Sequence, residues 1–408
     1  MVEKNIVYIV SNFPCYSETF ILNELVELKK RGYKIFIFSL KKPKEKIIQN
    51  EAKEFLKDTF YSPFLLGINL WKAQIYFLRK RPSFYLKIIF EIIIYCIKKP
   101  LILLKNLSIF PKSIYFAYYI KEKNINHIHA HFANYPTTCA MIISQILNIP
   151  FSFTCHAHDI FYDTTMLDLK IKKAKLCFAI SEYNRNYILR IYPTLTKEKI
   201  KVLHCGIDLD KFSFQREKKS EKKLNILSIG RFMPTKGFDD LIFACKILKD
   251  KNIDFTCKII GEGPLEKKLK KLIKDLKLEK EVIINGPLTQ KELIEEYKKA
   301  DIFVLASKRA KHPDVQDGIP LVLMEAMAEG VIVISTKLSG IPELIEDRKN
   351  GILINPDDEL GLAKAINEIY LADKESIELL KEKAREKIYR EFNICNSINE
   401  LEESITKN

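Results

Sequence analysis

Short apolar runs alternate with helix-periodic segments along the whole chain, and that alternation leaves few folds open. In the first half the runs are 6–10, 34–38, 127–130, 151–155, 176–180 and 201–204. In the second half they are 225–230, 255–260, 281–284, 302–306, 331–335 and 352–354. Such short, mostly apolar runs fit strands buried on both faces, as in a parallel sheet covered by helices. Strand and helix in repeated succession predict an α/β fold. A charged stretch at 212–223 shows neither periodicity and reads as a linker between two such series. A length of 408 residues suits two domains. The expectation is therefore two Rossmann-like domains, 1–211 and 224–385, with ligands at the carboxyl ends of the strands.

Two blocks of the second series carry chemistry. Gly230-Arg231-Phe232-Met233-Pro234-Thr235-Lys236-Gly237 lies between a strand and the amphipathic helix that opens at Phe238. Glycine lets backbone approach an anion, a helix start offers free N–H groups, and two cations neutralise charge, so the block reads as a diphosphate grip. The plainer alternative is a surface loop that is merely basic. Further on, Asp317-Gly318-Ile319-Pro320 leads into Leu321-Val322-Leu323-Met324-Glu325-Ala326-Met327-Ala328. Leu321, Met324 and Ala328 fit the core-facing side of a helix. Glu325, surrounded by apolar residues, must either pair with a cation or accept hydrogen bonds from a polyol.

The two blocks together resemble the retaining glycosyltransferases of family 4 (glycosyl transferases group 1), which use nucleotide-sugar donors. The resemblance implies the GT-B fold: two Rossmann-like domains facing across a cleft, with a last helix, here 386–408, crossing back to the first domain. It implies Arg231 and Lys236 on the donor diphosphate beside Gly230, Glu325 on the nucleotide ribose, and Asp317 beside the donor sugar. Gly318, Ile319 and Pro320 belong to the same donor loop. Asp317 stands where the family has Glu, one methylene longer. Phe13-Pro14-x-x-Ser17-Glu18-Thr19-Phe20-Ile21, His129-Ala130-His131-Phe132 and Thr154-x-His156-Ala157-His158-Asp159-Ile160 resemble a narrower branch, which builds bacterial exopolysaccharides such as colanic acid and amylovoran. That branch implies His156 at the reaction centre by the donor sugar. It places Ser17, Glu18, Thr19, His131 and Asp159 on the acceptor or sugar side. Ser17 is also a good N-cap for a helix through Leu25 and Leu28, with Glu18 and Thr19 in its first turn.

Five of the seven histidines fall between 127 and 158. His127, His129 and His131 alternate and share one face of an extended segment. No His/Cys set has zinc spacing, the histidines with Asp159 lack a carboxylate cluster, and no metal is expected. Asp208-Leu209-Asp210 reads as turn residues beside the linker. Gly261-Glu262-Gly263 lacks the third glycine of a dinucleotide fingerprint, which excludes a dehydrogenase. No cofactor is expected beyond a nucleotide-diphospho-sugar as co-substrate.

Between 41 and 125 lie 17 Lys and Arg against 6 Asp and Glu, a surplus of 11 within the chain's net +15. The same stretch is rich in Phe, Tyr, Ile and Leu and holds the single tryptophan, Trp71. Charges at Lys87, Glu91, Lys98 and Lys99 exclude a spanning helix. Basic, aromatic, amphipathic helices suit the surface of an anionic membrane, whereas no nucleic-acid module accompanies the charge. The alternative is a helical insertion packed on the first sheet with a solvated basic face. Nine cysteines without a C-x-x-C pair, and an N-terminal run too short for a signal peptide, suit a reducing cytoplasm, on the inner face of the membrane. The expected activity is transfer of a sugar, with retention, to a glycan acceptor, lipid-linked, in cell-surface polysaccharide synthesis. Rivals on the same plan are a nucleotide-sugar epimerase, a phosphorylase, and a non-catalytic membrane-docked sugar-binding protein.

Overall fold

Each of the twelve apolar runs becomes a parallel strand in the computed structural model, which describes residues 4–16, 18–43, 48–63, 67–214, 223–309 and 317–406. One unit comprises Met1–His204 and Ser397–Asn408, the other Cys205–Asn396. The first holds β1 (Asn5–Asn12), β2 (Lys34–Lys41), β3 (Thr59–Tyr61), β4 (His127–His131), β5 (Phe151–Cys155), β6 (Leu176–Ala179) and β7 (Ile200–Val202), in the order β3-β2-β1-β4-β5-β6-β7. The second holds β8 (Leu224–Ile229), β9 (Phe255–Ile260), β10 (Val282–Asn285), β11 (Ile302–Leu305), β12 (Ile332–Thr336) and β13 (Ile352–Ile354), in the order β10-β9-β8-β11-β12-β13. Helices cover both faces, so Ile6, Val7, Tyr8, Ile9 and Val10 are all buried although neighbours point to opposite sides.

Strand β3 was not anticipated within 41–125. It is three residues long and pairs only with β2, through Ile37↔Thr59 to Ser39↔Tyr61. A strand that short has no alternation to read. Helices Ile68–Lys80, Pro82–Cys96 and Pro100–Ile120 follow, the last two opened by proline at the first helical position. Their apolar stripes, with Phe77, Ile88, Ile92, Ile114 and Phe116, join the core of the first sheet. The final helix, Ile394–Thr406, belongs largely to the first unit, where Glu402 pairs with Lys4 at 3.2 Å and Arg31 at 2.8 Å.

Each sheet reverses its winding once, between β1 and β4 and between β8 and β11. At such a switch point neighbouring loops leave in opposite directions and open a crevice at the carboxyl ends of the strands. The loop after β8 passes so close to β11 that a Cβ on Gly237, at φ +61°, would stand 1.8 Å from the Ala306 carbonyl oxygen. Gly237→Ala is therefore expected to destabilise the protein by at least about 1 kcal/mol from the left-handed backbone alone, and by more from the collision. Gly286→Ala, where a Cβ meets nothing within 4 Å, should stay within about 0.5 kcal/mol of wild type. Urea unfolding midpoints of the two variants compare them directly, and equal midpoints would show that the loop is not held against β11.

Candidate active site

In the second unit, the basic block sits at the β8/β11 switch point. Its loop is fixed by backbone: Phe232 N–H donates to Glu262 C=O at 2.8 Å, and Lys308 N–H to Thr235 C=O at 3.0 Å. The Gly261-Glu262-Gly263 turn thus forms the floor of this loop, and a Cβ on Gly261 would stand 2.0 Å from the Gly230 carbonyl oxygen. Lys236 folds back over Gly230, where an added Cβ would meet its aliphatic stem at 3.5 Å. Its ammonium pairs with Asp317 at 2.9 Å, the two side chains being 19% and 23% exposed. This ion pair joins the two sequence blocks. Arg231 is exposed and makes no ion pair among the described residues.

Gly318 is partly exposed, while Ile319 and Pro320 are buried and lead into the helix Leu321–Glu329. That helix has neither a capping side chain nor an acidic residue in its first turn. It is buried more completely than one apolar face implies: Leu323 through Glu329 are all buried, whereas Leu321 is only partly so. Glu325 meets no cation at ion-pair distance among the described residues. Its Oε2 accepts from the Tyr297 hydroxyl at 2.9 Å, and Gln290 is a further partner. Burial raises its carboxyl to about 7, against the pull of Tyr297, Gln290 and the more distant Lys211. Lys308, which no motif marked, bonds Asp239 at 2.9 Å and Asp240 at 2.7 Å and so ties down the first turn of Phe238–Asp250.

In the first unit, the histidines gather at the β1/β4 switch point. Parallel register puts Tyr8 beside His129 and His129 beside Ser152, and it puts His131 beside Thr154. The Ser152 hydroxyl lies 2.7 Å from His127 Nε2 and 2.8 Å from His129 Nδ1, while Thr154 Oγ1 lies 3.1 Å from His129 Nε2. His131 Nε2 is 3.2 Å from Glu24 Oε1, and its Nδ1 is 3.2 Å from His156 Nε2. Tyr8 donates to the same Glu24 oxygen at 2.5 Å. Burial would raise the Glu24 carboxyl, but His131, His129 and the Tyr8 hydroxyl bring it down to about 2. Burial drives His127 and His129 down to about 3, and His156 well below the usual imidazole range.

His156 is held on all sides. Its ring lies between Phe20 and Phe132, with centroids 4.5 and 4.6 Å away. Its backbone N–H donates to Asp159 at 2.9 Å, and its carbonyl accepts from Asn184 at 2.6 Å. Asp159 also accepts from Ala133 N–H at 2.5 Å, so in this structure its carboxylate is taken up by backbone rather than offered to a ligand. Buried Lys170 caps the same turn by donating to the Ala133 and Asn134 carbonyls at 2.7 and 3.0 Å. His158 is exposed and stacks on Tyr162. The helix Thr19–Lys30 starts one residue later than a Ser17 cap implies, with Glu18 at the cap position and Thr19 as its first residue. The reason is a turn in which Ile21 N–H already bonds Glu18 C=O at 3.1 Å. Ser17 itself lies outside the described residues.

The residue that sequence reading missed is Glu24. Its signal was present: it lies three after Ile21 and four before Leu28, on the buried stripe of an amphipathic helix. Ligand atoms of Glu24, His129 and His131 lie within 4.8 Å of one another, a spacing that could hold a metal ion. Those same nitrogens are engaged in the hydrogen bonds above.

Two all-parallel Rossmann-like sheets, one with a cationic and one with an imidazole cluster at its switch point, are the two domains of the GT-B class. The Glycosyltransferase Family 4 model matches residues 17–211 and the Glycosyl transferases group 1 model residues 210–387. The chain belongs to this glycosyltransferase family. It is 37% identical over 197 residues to the putative colanic acid biosynthesis glycosyltransferase WcaL of Escherichia coli K12, the match covering 48% of each chain. It is 39% identical over 196 residues to the amylovoran biosynthesis glycosyltransferase AmsK of Erwinia amylovora, again covering 48% of each. The chain thus spans about half the length of these curated relatives in the matched region. The crystal structure of Anabaena Alr3699/HepE with UDP and glucose shares the fold, with a TM-score of 0.71 at 18% identity over 99% of this chain and 100% of that one.

Glu325 generates a test that needs no substrate. A carboxyl near 7 in the folded protein and 4.5 when unfolded binds more protons folded than unfolded between those values. Its contribution to stability is therefore full below about pH 4.5 and is lost as pH rises through about 7. Up to about 3 kcal/mol is at stake. Glu325→Gln keeps a partner for Tyr297 but cannot ionise, so its stability should fall less than that of wild type from pH 5 to 8. Parallel melting profiles across that range would show that the buried carboxyl titrates normally.

Proposed function

We propose that this protein transfers a hexose from a nucleotide-diphospho-sugar to a growing glycan of a cell-surface polysaccharide, with retention of anomeric configuration. The observation that carries this reading is the pair of cations at the β8/β11 switch point: Arg231 without an ion-pair partner among the described residues, and Lys236 tied to Asp317. Breaking the sugar–phosphate bond leaves negative charge on the β-phosphate. Cations fixed there stabilise the transition state more than the ground state. Arg231 offers a fork to two phosphate oxygens, Lys236 a point charge, and Gly230 and the uncapped start of Leu321–Glu329 close backbone approach. Glu325 accepts from the ribose hydroxyls, and Asp317 serves the donor sugar. His156 contacts the reacting sugar. The relatives' exopolysaccharide names support the acceptor class, and the UDP and glucose named for the Anabaena structure support the donor class.

Lys236→Ala and Arg231→Ala should each slow turnover by roughly a hundred- to a thousandfold. Arg231→Lys should restore only part of the loss, because the fork is gone. Glu325→Gln should act differently, weakening nucleotide affinity about ten- to a hundredfold with a smaller effect on turnover. Release of UDP or GDP from a panel of nucleotide sugars, with and without glycan acceptor, measures all of these. Alanine variants as fast as wild type would refute the phosphate grip. A sugar altered on the nucleotide without an acceptor would mark an epimerase.

We further propose that the acceptor is lipid-linked and that the first unit docks on an anionic bilayer at the cytoplasmic face. The helices Ile68–Lys80, Pro82–Cys96 and Pro100–Ile120 turn one stripe inward and leave another uncovered: Ile68 is 75% exposed, Trp71 54% and Leu101 73%, with Leu86, Phe90, Ile94, Ile97 and Leu104 also exposed. Lys72, Arg79, Lys80, Arg81, Lys87, Lys98 and Lys105 accompany them on the same helices and their junctions. No helix among the described residues is long and apolar enough to cross a membrane. Apolar insertion with about 1 kcal/mol per basic residue near the surface suits reversible docking. The fluorescence of Trp71, the chain's only tryptophan, should shift to the blue on vesicles containing phosphatidylserine. It should shift less on neutral vesicles, and salt should reverse only part of the change. An unmoved spectrum on both lipids at low salt would remove the membrane and the lipid-linked acceptor from this reading.

A further inference from the structure

The chain Tyr8–Glu24–His131–His156 ends at an open atom. Among the described residues His156 Nδ1 has no hydrogen-bond partner, while Nε2 is engaged by His131 at 3.2 Å. An ionised carboxylate can only accept, so His131 Nε2, 3.2 Å from Glu24, must carry a hydrogen. The contact between His131 Nδ1 and His156 Nε2 then needs one donor and one acceptor. If His131 is neutral, its Nδ1 is bare and the His156 proton must sit on Nε2, leaving Nδ1 as an acceptor. If His131 carries a second proton, it donates to a bare His156 Nε2, and the His156 proton moves to Nδ1. A single proton on His131 thus decides whether the open end of His156 gives or takes a hydrogen bond.

Charge decides between the two. Glu24 is buried, and among the described residues no lysine or arginine reaches it. Tyr8 donates a neutral hydrogen bond. His129 is 3.8 Å away between the Ser152 and Thr154 hydroxyls, but burial drives it down to about 3 and keeps it neutral. Phe20 and Phe132, the other rings beside the two imidazoles, are apolar. Only His131 remains to carry the compensating charge, and a buried carboxylate without one is strongly disfavoured. We propose that Glu24 and His131 are positioning residues: together they hold His156 as the Nδ1–H tautomer, so that it donates a hydrogen bond to an oxygen of the reacting sugar. Burial of His156 keeps that ring neutral and its single proton meaningful. The substrate half of this inference rests on the glycosyltransferase reading above; the tautomer half does not.

Histidine-selective 15N NMR of the full chain tests the two halves separately, with His131→Gln and His156→Gln assigning the signals. Wild type should show both His131 nitrogens protonated and His156 protonated at Nδ1. In Glu24→Gln, His131 should lose its second proton and His156 should switch to Nε2–H. A bare nitrogen on wild-type His131 would overturn the proposal, and that measurement needs no variant to fold; so would an unchanged His156 tautomer in Glu24→Gln. With UDP-glucose as probe, Glu24→Gln should lower donor turnover at least about tenfold while leaving the donor KM within about twofold, as expected when a histidine is held in the wrong tautomer. The expected tautomers in a wild-type protein that cleaves none of the nucleotide sugars would sink the functional reading but not the proton arrangement. Full turnover in Glu24→Gln despite a switched tautomer would overturn the positioning role alone.

Discussion

Parallel pairing is the constraint on which the rest of this structure depends. A parallel strand inside a sheet covered by helices has no solvent face, so its residues are mostly apolar and any polar group within it must find a partner inside the protein. The strand ends at the two switch points are where loops separate and backbone groups come free. Ile226–Ile229 ends in Gly230 and Arg231, and β4 ends in His131. The cationic loop and His131 sit where the topology leaves room for them, whereas His127 and His129, earlier on β4, are buried and depend on the Ser152 and Thr154 hydroxyls.

The clusters meet the cost of burial in opposite ways. The second unit keeps its charges partly exposed, with Arg231 at the surface and Lys236 against Asp317, so they remain available to a ligand. The first unit buries its groups almost fully and satisfies them internally: Ser152 and Thr154 hydroxyls serve His127 and His129, while Glu24 collects Tyr8 and His131. A network of this kind is rigid only when its members are paired, since each orphaned group in a low-dielectric interior forfeits its full desolvation energy. Among the described residues His127 Nδ1 is buried without a partner, and at the Glu24 end of the network the unpaired atom is His156 Nδ1, whose Nε2 is held by His131. A rigidly held imidazole with an unpaired nitrogen can orient a substrate rather than merely bind it.

How much of this could be read from the chain follows from the range of each interaction. The twelve apolar runs became strands because burial on both faces leaves a local signature. The loop between β8 and the helix Phe238–Asp250 was legible as a strand-to-helix junction because glycine, cation and helix start are neighbours in sequence. Strand β3 escaped notice because three residues carry no period. Asp159 was assigned to the sugar side on its motif, yet its oxygens accept the N–H groups of Ala133 and His156, a fact of loop closure that no spacing encodes. Glu24 lies 107 residues from its partner His131. Its charge on an apolar helical stripe announced an unusual burial without naming what it would meet.

Asp317 shows what a single methylene changes. At 2.9 Å from Lys236 its carboxylate neutralises one of the two cations proposed for the diphosphate. On the proposed function, the donor diphosphate, with one negative charge on each phosphate, competes with that carboxylate for the ammonium. The pair is partly solvated, so the exchange costs little in Coulomb energy, and a diphosphate offers more charge and more acceptor oxygens than one carboxylate does. Once displaced, Asp317 is a carboxylate beside a diphosphate, and like charges separate unless a hydroxyl donor lies between them. A sugar hydroxyl is such a donor. On that reading the ion pair with Lys236 and a bond to a sugar hydroxyl are alternative roles of one side chain.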